Sequence, residues 1–166
     1  MRYAVIFETE TNNTEALAEE IYRNIDSTEK VYVNLNKTAY IPDADVYFVG
    51  FPVRNHSCSL KVIDCIESIT EGKIALFATC GMRPTSKYKN KMEDSIRVWI
   101  PDSAEYLDMF LCQGRMSEKQ KDYFYQKNVG HKSELQEMFT EGDHHPDDDD
   151  LDAIAEFAQE IQERIE

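Results

Sequence analysis

Short, mainly apolar segments alternate with amphipathic ones along most of this chain, and that alternation limits the possible folds more than any other feature. Residues 3–7, 45–51 and 73–79 each place apolar, β-forming side chains at successive positions. A strand that is apolar on both faces has to be covered on both sides, which is typical of a parallel sheet. Between these segments, apolar residues recur at helical spacing. The pattern predicts an α/β protein whose parallel sheet carries helices on both faces.

The alternation divides the chain into five strands and their connecting helices, with no internal repeat and no linker. We therefore expect a single domain over residues 1–166. The least periodic part is 128–145, where residues 133–139 are expected to form only a helical turn or two. Asp147 is the expected N-cap of the last helix, and Ser117 with Gln120 forms a capping-box pattern at the start of an earlier one. The strands are predicted over 3–7, 30–35, 45–51, 73–79 and 107–113, and the other helices over 14–25, 60–69, 88–99 and 117–126.

The composition is strongly acidic, since 32 Asp and Glu outnumber 18 Lys and Arg and give a net charge of −14 at pH 7. Such a field repels nucleic acid and anionic membranes and attracts partners that carry basic patches. No apolar stretch approaches the roughly 18 residues that a membrane-spanning helix requires. We expect a cytoplasmic protein, monomeric or weakly dimeric, whose partner proteins dock through basic surfaces. Solubility alone is the other explanation of the charge.

The cysteine and histidine groups point to packing more than to chemistry. The cysteines are Cys58, Cys65, Cys80 and Cys112, and they show no CxxC spacing. We expect them to be reduced and mostly buried. His144 and His145 lie beside Asp143 and the acidic run 147–150, but nothing spaces these groups for closed coordination. We therefore expect a polar turn and an acidic helix start there, and no metal site.

The turn after the first strand is rich in small polar side chains. It reads Thr9, Glu10, Thr11, Asn12, Asn13 and Thr14, and an amphipathic helix follows directly. Hydroxyls, carboxamides and the free backbone N–H groups of a helix start are able to hold a phosphate dianion without any Lys or Arg. A well-capped helix is the other interpretation, because Thr and Asn are common caps. The position after the first strand of an α/β pattern favours the phosphate.

This turn resembles the flavodoxin family signature (S/T)-x-T-G-N-T, which Thr9, Thr11, Asn13 and Thr14 match. The resemblance extends along nearly the whole chain, to segments 48–53, 77–86, 110–115 and 145–148. It implies a flavodoxin-like three-layer sandwich with a five-stranded sheet in the order 2-1-3-4-5. It also implies FMN bound where the strand order reverses.

The turn departs from the family signature at one position and in its charge. Asn12 stands where the family has Gly, and Asn is the next residue that best tolerates positive φ. Glu8 and Glu10 place negative charge near the expected phosphate. They need not oppose it if their side chains point away from the turn.

The resemblance implies that the loops after the third and fourth strands enclose the flavin ring. They contain Pro52, Val53, Arg54, Asn55 and His56 on one side and Thr79, Cys80, Gly81, Met82 and Arg83 on the other. Neither loop supplies an aromatic platform, although His56 or a guanidinium is able to stack on the ring. Asn55 is the residue best suited to positive φ in a loop without Gly. Arg54 and Arg83 are expected to make the reduction potential less negative than is usual for the family.

Three functions remain open at the level of sequence. The first is an FMN-binding electron carrier that passes electrons from a reductase to an acceptor protein, with no residue in acid–base catalysis. The second is an NAD(P)H-dependent FMN or quinone reductase on the same fold. The third is a flavodoxin-fold binding module that has lost its flavin.

Overall fold

The computed structural model describes all of residues 1–166 and contains one five-stranded sheet. All neighbouring strands are parallel, and their order is β2-β1-β3-β4-β5. The strands are β1 Tyr3–Phe7, β2 Lys30–Asn34, β3 Val46–Pro52, β4 Lys73–Cys80 and β5 Glu105–Gln113. Every strand predicted from the apolar pattern is present, and the strand order implied by the family resemblance is confirmed.

Six helices cover the two faces of the sheet and its carboxyl edge. They are α1 Asn13–Asn24, α2 Leu60–Ser68, α3 Ser86–Arg97, α4 Glu118–Lys127, α5 Lys132–Gly142 and α6 Asp148–Ile165. The α2 and α3 helices pack on one face, whereas α1 and α6 pack together on the other. This is the predicted three-layer arrangement. None of the helices has the length and apolar character needed to cross a membrane.

Alternate residues of the central strands supply the two halves of the core. Ile6 and Val49 belong to the cluster under α2 and α3, while Val5 and Phe48 belong to the cluster under α1 and α6. This follows from the two-residue period of a strand, which sends successive side chains to opposite faces. The apolar runs of the sequence are therefore the strands that face a core on both sides.

Side-chain caps fix the starts of four helices. The hydroxyls of Ser59, Thr85 and Ser117 and the carboxylate of Asp147 each accept a hydrogen bond from a backbone N–H in the first turn. The capping boxes at Ser117 and Asp147 are both complete, as the sequence predicted. Thr85 also explains why α3 begins at Ser86, earlier than its apolar spacing indicated.

Residues 133–139, which were expected to form a helical turn or two, lie within a longer helix of 11 residues, α5. Its partners come from elsewhere in the chain. The Phe139 ring packs edge-on against Phe124 and Tyr125, with centroid separations of 6.1 and 5.4 Å. Tertiary contacts therefore stabilise a helix whose own periodicity is weak. We call residues 118–142 the α4–α5 hairpin; it is inserted between β5 and α6 at the carboxyl edge of the sheet.

The close approach of β3 to the Phe77 ring gives a test of the core. A Cβ added at Gly50 would lie 2.1 Å from ring atoms of Phe77. Gly50→Ala is therefore expected to lower the free energy of unfolding by about 1–3 kcal/mol, the usual cost of overpacking. Urea unfolding of Gly50→Ala, Phe77→Leu and the double variant checks this. The alanine should cost less in the Phe77→Leu background, and purely additive costs would contradict the contact.

Candidate functional site

The start of α1 leaves its backbone N–H groups without protein partners. Asn12 precedes the helix with φ 65 and ψ 6, in the left-handed region, and its side chain makes no capping hydrogen bond. The amides of residues 10–15 donate to no protein acceptor. The interpretation of this turn as a well-capped helix is therefore wrong. The positive φ that the family's glycine position requires is adopted by Asn12, as predicted.

A buried hydroxyl in the same turn also lacks a partner. The Oγ1 atom of Thr9 is inaccessible to solvent and makes no hydrogen bond, while its own amide donates to Asn36. A buried, unpaired hydroxyl is costly unless a ligand satisfies it. Thr14 is different, because its Oγ1 lies 3.0 Å from Oγ1 of Thr79 and both residues are buried. The turn thus offers a row of free amides and one orphaned hydroxyl, which is a donor set for an anion.

The other two polar side chains of the turn contact the segment after β5. Thr11 Oγ1 and Asn13 Nδ2 donate to the carbonyl oxygen of Arg115, at 3.1 and 2.8 Å. Asn13 also packs directly on Gly114, where any Cβ would lie 2.6 Å from its amide nitrogen. Both side chains were predicted to bind the cofactor directly. In this structure they hold the β5–α4 connection against the turn.

The two acidic residues of the turn are both held by partners from other segments. Glu8 is buried and its carboxylate accepts a 2.7 Å hydrogen bond from Ser59, the N-cap of α2. Glu10 forms an ion pair with Arg54 at 3.1 Å and accepts from the Gln120 amide at 3.2 Å. The predicted conflict between these carboxylates and a phosphate is therefore reduced by their orientation and by the Arg54 charge.

The loop after β3 is a tight two-residue turn. Arg54 and Ser57 exchange two backbone hydrogen bonds of 2.8 Å, and Asn55 and His56 between them have φ values of 48 and 60. Positive φ at both central positions is what a type I′ turn requires. The preference of Asn55 for positive φ was predicted, but that of His56 was not. The His56 ring lies edge-on to Tyr88, 6.4 Å between centroids, and so links this loop to α3.

The loop after β4 is covered by the side chain of Met116. A Cβ added at Gly81 would lie 2.2 Å from the Met116 sulfur, so only glycine allows this approach. The Cys80 thiol lies within hydrogen-bonding distance of the carbonyl oxygens of Met82 and Cys112, at 3.2 and 3.6 Å. Cys80 also lines the small cavity described below, and its contact with the cofactor stays a prediction.

The arginine of this loop is paired. Arg83 donates from Nε and Nη2 to the two carboxylate oxygens of Glu141 in the α4–α5 hairpin, at 2.8 and 2.9 Å. Arg54 makes a single 3.1 Å contact with Glu10, and its buried Nε has no partner. Each arginine therefore has a carboxylate that offsets its positive charge. The pairing removes the basis for expecting an unusually high reduction potential.

A small cavity of about 40 Å³ joins these parts. It is lined by the turn after β1, by Pro52 and Val53, by the start of the loop after β4, and by the segment after β5. That last segment contributes Gly114, Arg115, Met116 and Gln120, none of which was predicted as a site residue. One signal was available, since the carboxyl end of β5 lies at the same sheet edge as those of β3 and β4.

A much larger cavity, of about 940 Å³, lies elsewhere. It runs along α2 past Lys61 and Asp64 to the amino ends of the strands at Asp45 and Gly72. Parallel sheets bind their ligands at the opposite edge, where strand ends, free helix N–H groups and connecting loops meet. We therefore assign the site to the small cavity at the carboxyl edge, not to the larger one.

Three polar groups at the start of α6 lie closer together than the sequence indicated. Ligand atoms of His145, Asp147 and Asp150 are all within 4.8 Å of one another. The arrangement is accounted for by protein contacts: His145 Nδ1 is 2.5 Å from Asp150 Oδ2, and Asp147 and Asp150 form the capping box. The hydrogen bond to Asp150 raises the pKa of His145.

Comparison with known proteins agrees with the topology. A sequence model of the flavodoxin domain matches residues 4–159. The flavodoxin-like domain-containing protein BilS of Clostridioides difficile (strain CD3) is 27% identical over 97% of this chain and 96% of its own length. Oxidised flavodoxin 2 from Bacillus cereus superposes over 99% of both chains with a TM-score of 0.58 and 15% identity. A flavoprotein from Lactobacillus acidophilus NCFM, solved in complex with FMN, superposes over 66% of this chain and 92% of its own with a TM-score of 0.52 and 12% identity.

The buried thiols give a pH-dependent prediction. Burial raises the pKa of Cys58 to about 11 and those of Cys65 and Cys80 to about 12. Near pH 8 the folded protein should therefore react slowly with thiol reagents, whereas all four thiols should react in urea. Above about pH 9 the unfolded chain releases thiol protons that the folded one keeps, so the free energy of unfolding should fall. Rapid modification of folded Cys80 near pH 8 would contradict its buried placement.

Proposed function

Because the chain belongs to the flavodoxin domain family, we propose that it binds FMN non-covalently and carries electrons between a reductase and an acceptor protein. One observation carries this proposal: the start of α1 combines uncapped amides with the orphaned hydroxyl of Thr9. A dianionic phosphate ester would satisfy both, and the helix dipole would favour its charge. The flavin supplies reversible uptake of electrons and protons, while the protein binds it and tunes its potential.

The residues around the cavity fit the two parts of the cofactor. The amides of residues 10–15 and the Thr9 hydroxyl would hold the phosphate. Pro52, Val53 and Met116 offer apolar contact for a flat ring. Glu8 and Glu10 act indirectly. Glu8 contacts Ser59 and Glu10 contacts Arg54, and these contacts fix the loop after β3.

In this structure the cavity is too small for the flavin ring. Its volume of about 40 Å³ accommodates a water molecule, whereas sites for ligands of cofactor size have volumes of about 300–1,000 Å³. The side chain that closes it is Met116 on Gly81, and methionine is readily rearranged because it is unbranched and flexible. Binding of FMN is therefore expected to displace Met116 and to leave the turn after β1 in place.

The primary experiment compares FMN with riboflavin, which has the same ring and no phosphate. Purified protein is mixed with each flavin, passed through gel filtration, and its absorption spectrum recorded. FMN should remain with the protein and riboflavin should be lost. Retention of neither would favour the flavin-free binding module, and equal retention of both would remove the role of the turn after β1.

Substitution of Thr9 separates ligand binding from stability. Thr9→Val removes a buried hydroxyl that has no protein partner, so the free energy of unfolding without flavin should be unchanged or should rise. The same change should weaken FMN binding about tenfold or more, measured by calorimetry.

Thr14→Val is the matched control. It removes a hydroxyl that is paired with Thr79, so it should lower the free energy of unfolding by about 1 kcal/mol. If Thr9→Val left the FMN affinity unchanged, the proposed phosphate site would be wrong.

The arginine pairs give a prediction for the reduction potential. Arg83→Ala leaves Glu141 without its partner, so the bound flavin should become harder to reduce, by about 20–40 mV. The double variant Arg83→Ala/Glu141→Gln removes both charges and should return the midpoint toward that of the unmodified protein. Redox titration measures all three. Equal midpoints for the single and double variants would contradict neutralisation by the pair.

A further inference from the structure

Two segments of this acidic chain contain no acidic residue. Residues 46–63 and 73–92 hold seven Lys and Arg and not one of the 32 Asp and Glu. These basic residues are Arg54, Lys61, Lys73, Arg83, Lys87, Lys89 and Lys91. The segments comprise β3 and β4, the two loops that flank the cavity, and the first turns of α2 and α3. These two segments are therefore basic, although Glu10 and Glu141 pair with their two arginines and acidic residues resume at Asp64 and Glu93.

Three of the seven basic side chains are free. Arg54, Lys73, Arg83 and Lys89 each form an ion pair with a carboxylate from another part of the chain. Lys61, Lys87 and Lys91 are exposed and form no ion pair. Each lies within the first two turns of its helix, near the carboxyl edge of the sheet.

An apolar side chain accompanies these lysines. Leu60, the first residue of α2, is 78% exposed. The contact between His56 and Tyr88 joins the loop before α2 to the first turn of α3, so the two lysine-bearing helix starts are neighbours. We call Leu60, Lys61, Lys87 and Lys91 the basic rim. An exposed apolar side chain with charged ones around it has the arrangement of an interface, an apolar centre inside a polar rim.

The helix starts on the other face of the sheet have the opposite character. The start of α6 presents the acidic run 147–150, and Glu15 lies in the first turn of α1. Those helices are on the other face of the sheet from α2 and α3. At physiological ionic strength charges act over about 8 Å, so a docking partner senses the local surface more than the net charge of −14.

We propose that the electron-transfer partner docks on the basic rim through an acidic surface with an apolar centre. This inference rests on the proposed electron-carrier function, and it reverses the partner charge that the composition predicts. Complementary charge orients the partner over the loops after β3 and β4, the shortest approach to a ring held between them. Leu60 supplies the desolvated contact, and the lysines supply orientation and association rate.

The test uses two well-characterised acceptors of opposite charge, the acidic haem protein cytochrome b5 and the basic haem protein cytochrome c. The FMN-loaded protein is reduced and mixed with each acceptor in a stopped-flow instrument. The variant Lys61→Glu/Lys87→Glu/Lys91→Glu reverses the rim. The control Arg2→Glu/Lys127→Glu/Lys132→Glu makes the same change in net charge at exposed residues outside the rim.

The rim variant should lower the second-order rate constant with cytochrome b5 about tenfold, and the control less than about twofold. In the unmodified protein that rate should fall as salt is added, because the local attraction is screened. Equal effects of the two variants, or a rate that rises with salt, would overturn the proposal. A faster reaction of the unmodified protein with cytochrome c than with cytochrome b5, with no loss of the cytochrome c rate in the rim variant, would overturn it in favour of a basic partner.

Two further measurements make the outcome unambiguous. Each variant is first checked for its FMN spectrum and its urea unfolding midpoint. If the rim variant does not fold, the salt dependence of the cytochrome b5 rate in the unmodified protein tests the proposal. Rapid reduction of the flavin by NADPH alone, abolished in the rim variant, would assign the rim to nucleotide phosphates and overturn protein docking. Failure to bind FMN at all defeats the electron-carrier function, whereas FMN binding without a rim effect defeats only this inference.

Discussion

All strands of this sheet run in one direction, and that constraint decides where the polar groups of the molecule meet. Parallel strands end at a single edge, and each is followed there by a turn and by the start of a helix. The unpaired N–H groups of those helix starts therefore gather at one side, and so do the loops that connect them. The cavity, the orphaned Thr9 hydroxyl and the basic rim all lie along this edge. Burial of the strands on both faces leaves such a site to the edges of the sheet, and the carboxyl edge is the one where helix N–H groups are free.

The start of α1 lacks the side-chain cap that stabilises the starts of four other helices. Ser59, Thr85, Ser117 and Asp147 cap theirs, whereas α1 and α5 begin without a side-chain cap. Of these two, only α1 follows a left-handed residue, Asn12, and lies beside an orphaned hydroxyl. Ordinary capping by a side chain is worth about 0.5–2 kcal/mol, so its omission lowers stability at this turn. Local rules are most often broken at functional sites, where a ligand supplies the missing contacts. The combination therefore marks the turn after β1 more clearly than its threonines do.

The sequence was sufficient to predict the strands and most of the helices, because strand burial and helix periodicity are local patterns. It was also sufficient for Asn12 and Asn55, since few side chains tolerate positive φ. It was not sufficient for α5, whose stability comes from aromatic residues of α4, nor for Met116, which reaches the cavity only because Gly81 lies across from it. Contacts between segments distant in the chain determined every part of the site that was missed. The pairing of both arginines with glutamates belongs to the same class.

Net charge and local charge determine different properties of this protein. A sum of −14 describes the field at distances beyond the molecule, which governs solubility and repulsion from polyanions. Within a Debye length, the field near the loops after β3 and β4 combines the basic residues of 46–63 and 73–92 with the carboxylates of Glu10 and Glu141. Because α2 and α3 follow these two strands, their first two turns bring three unpaired lysines to the carboxyl edge of the sheet. The fold thus places the acidic helices α1 and α6 on one face of the sheet and these lysines on the other.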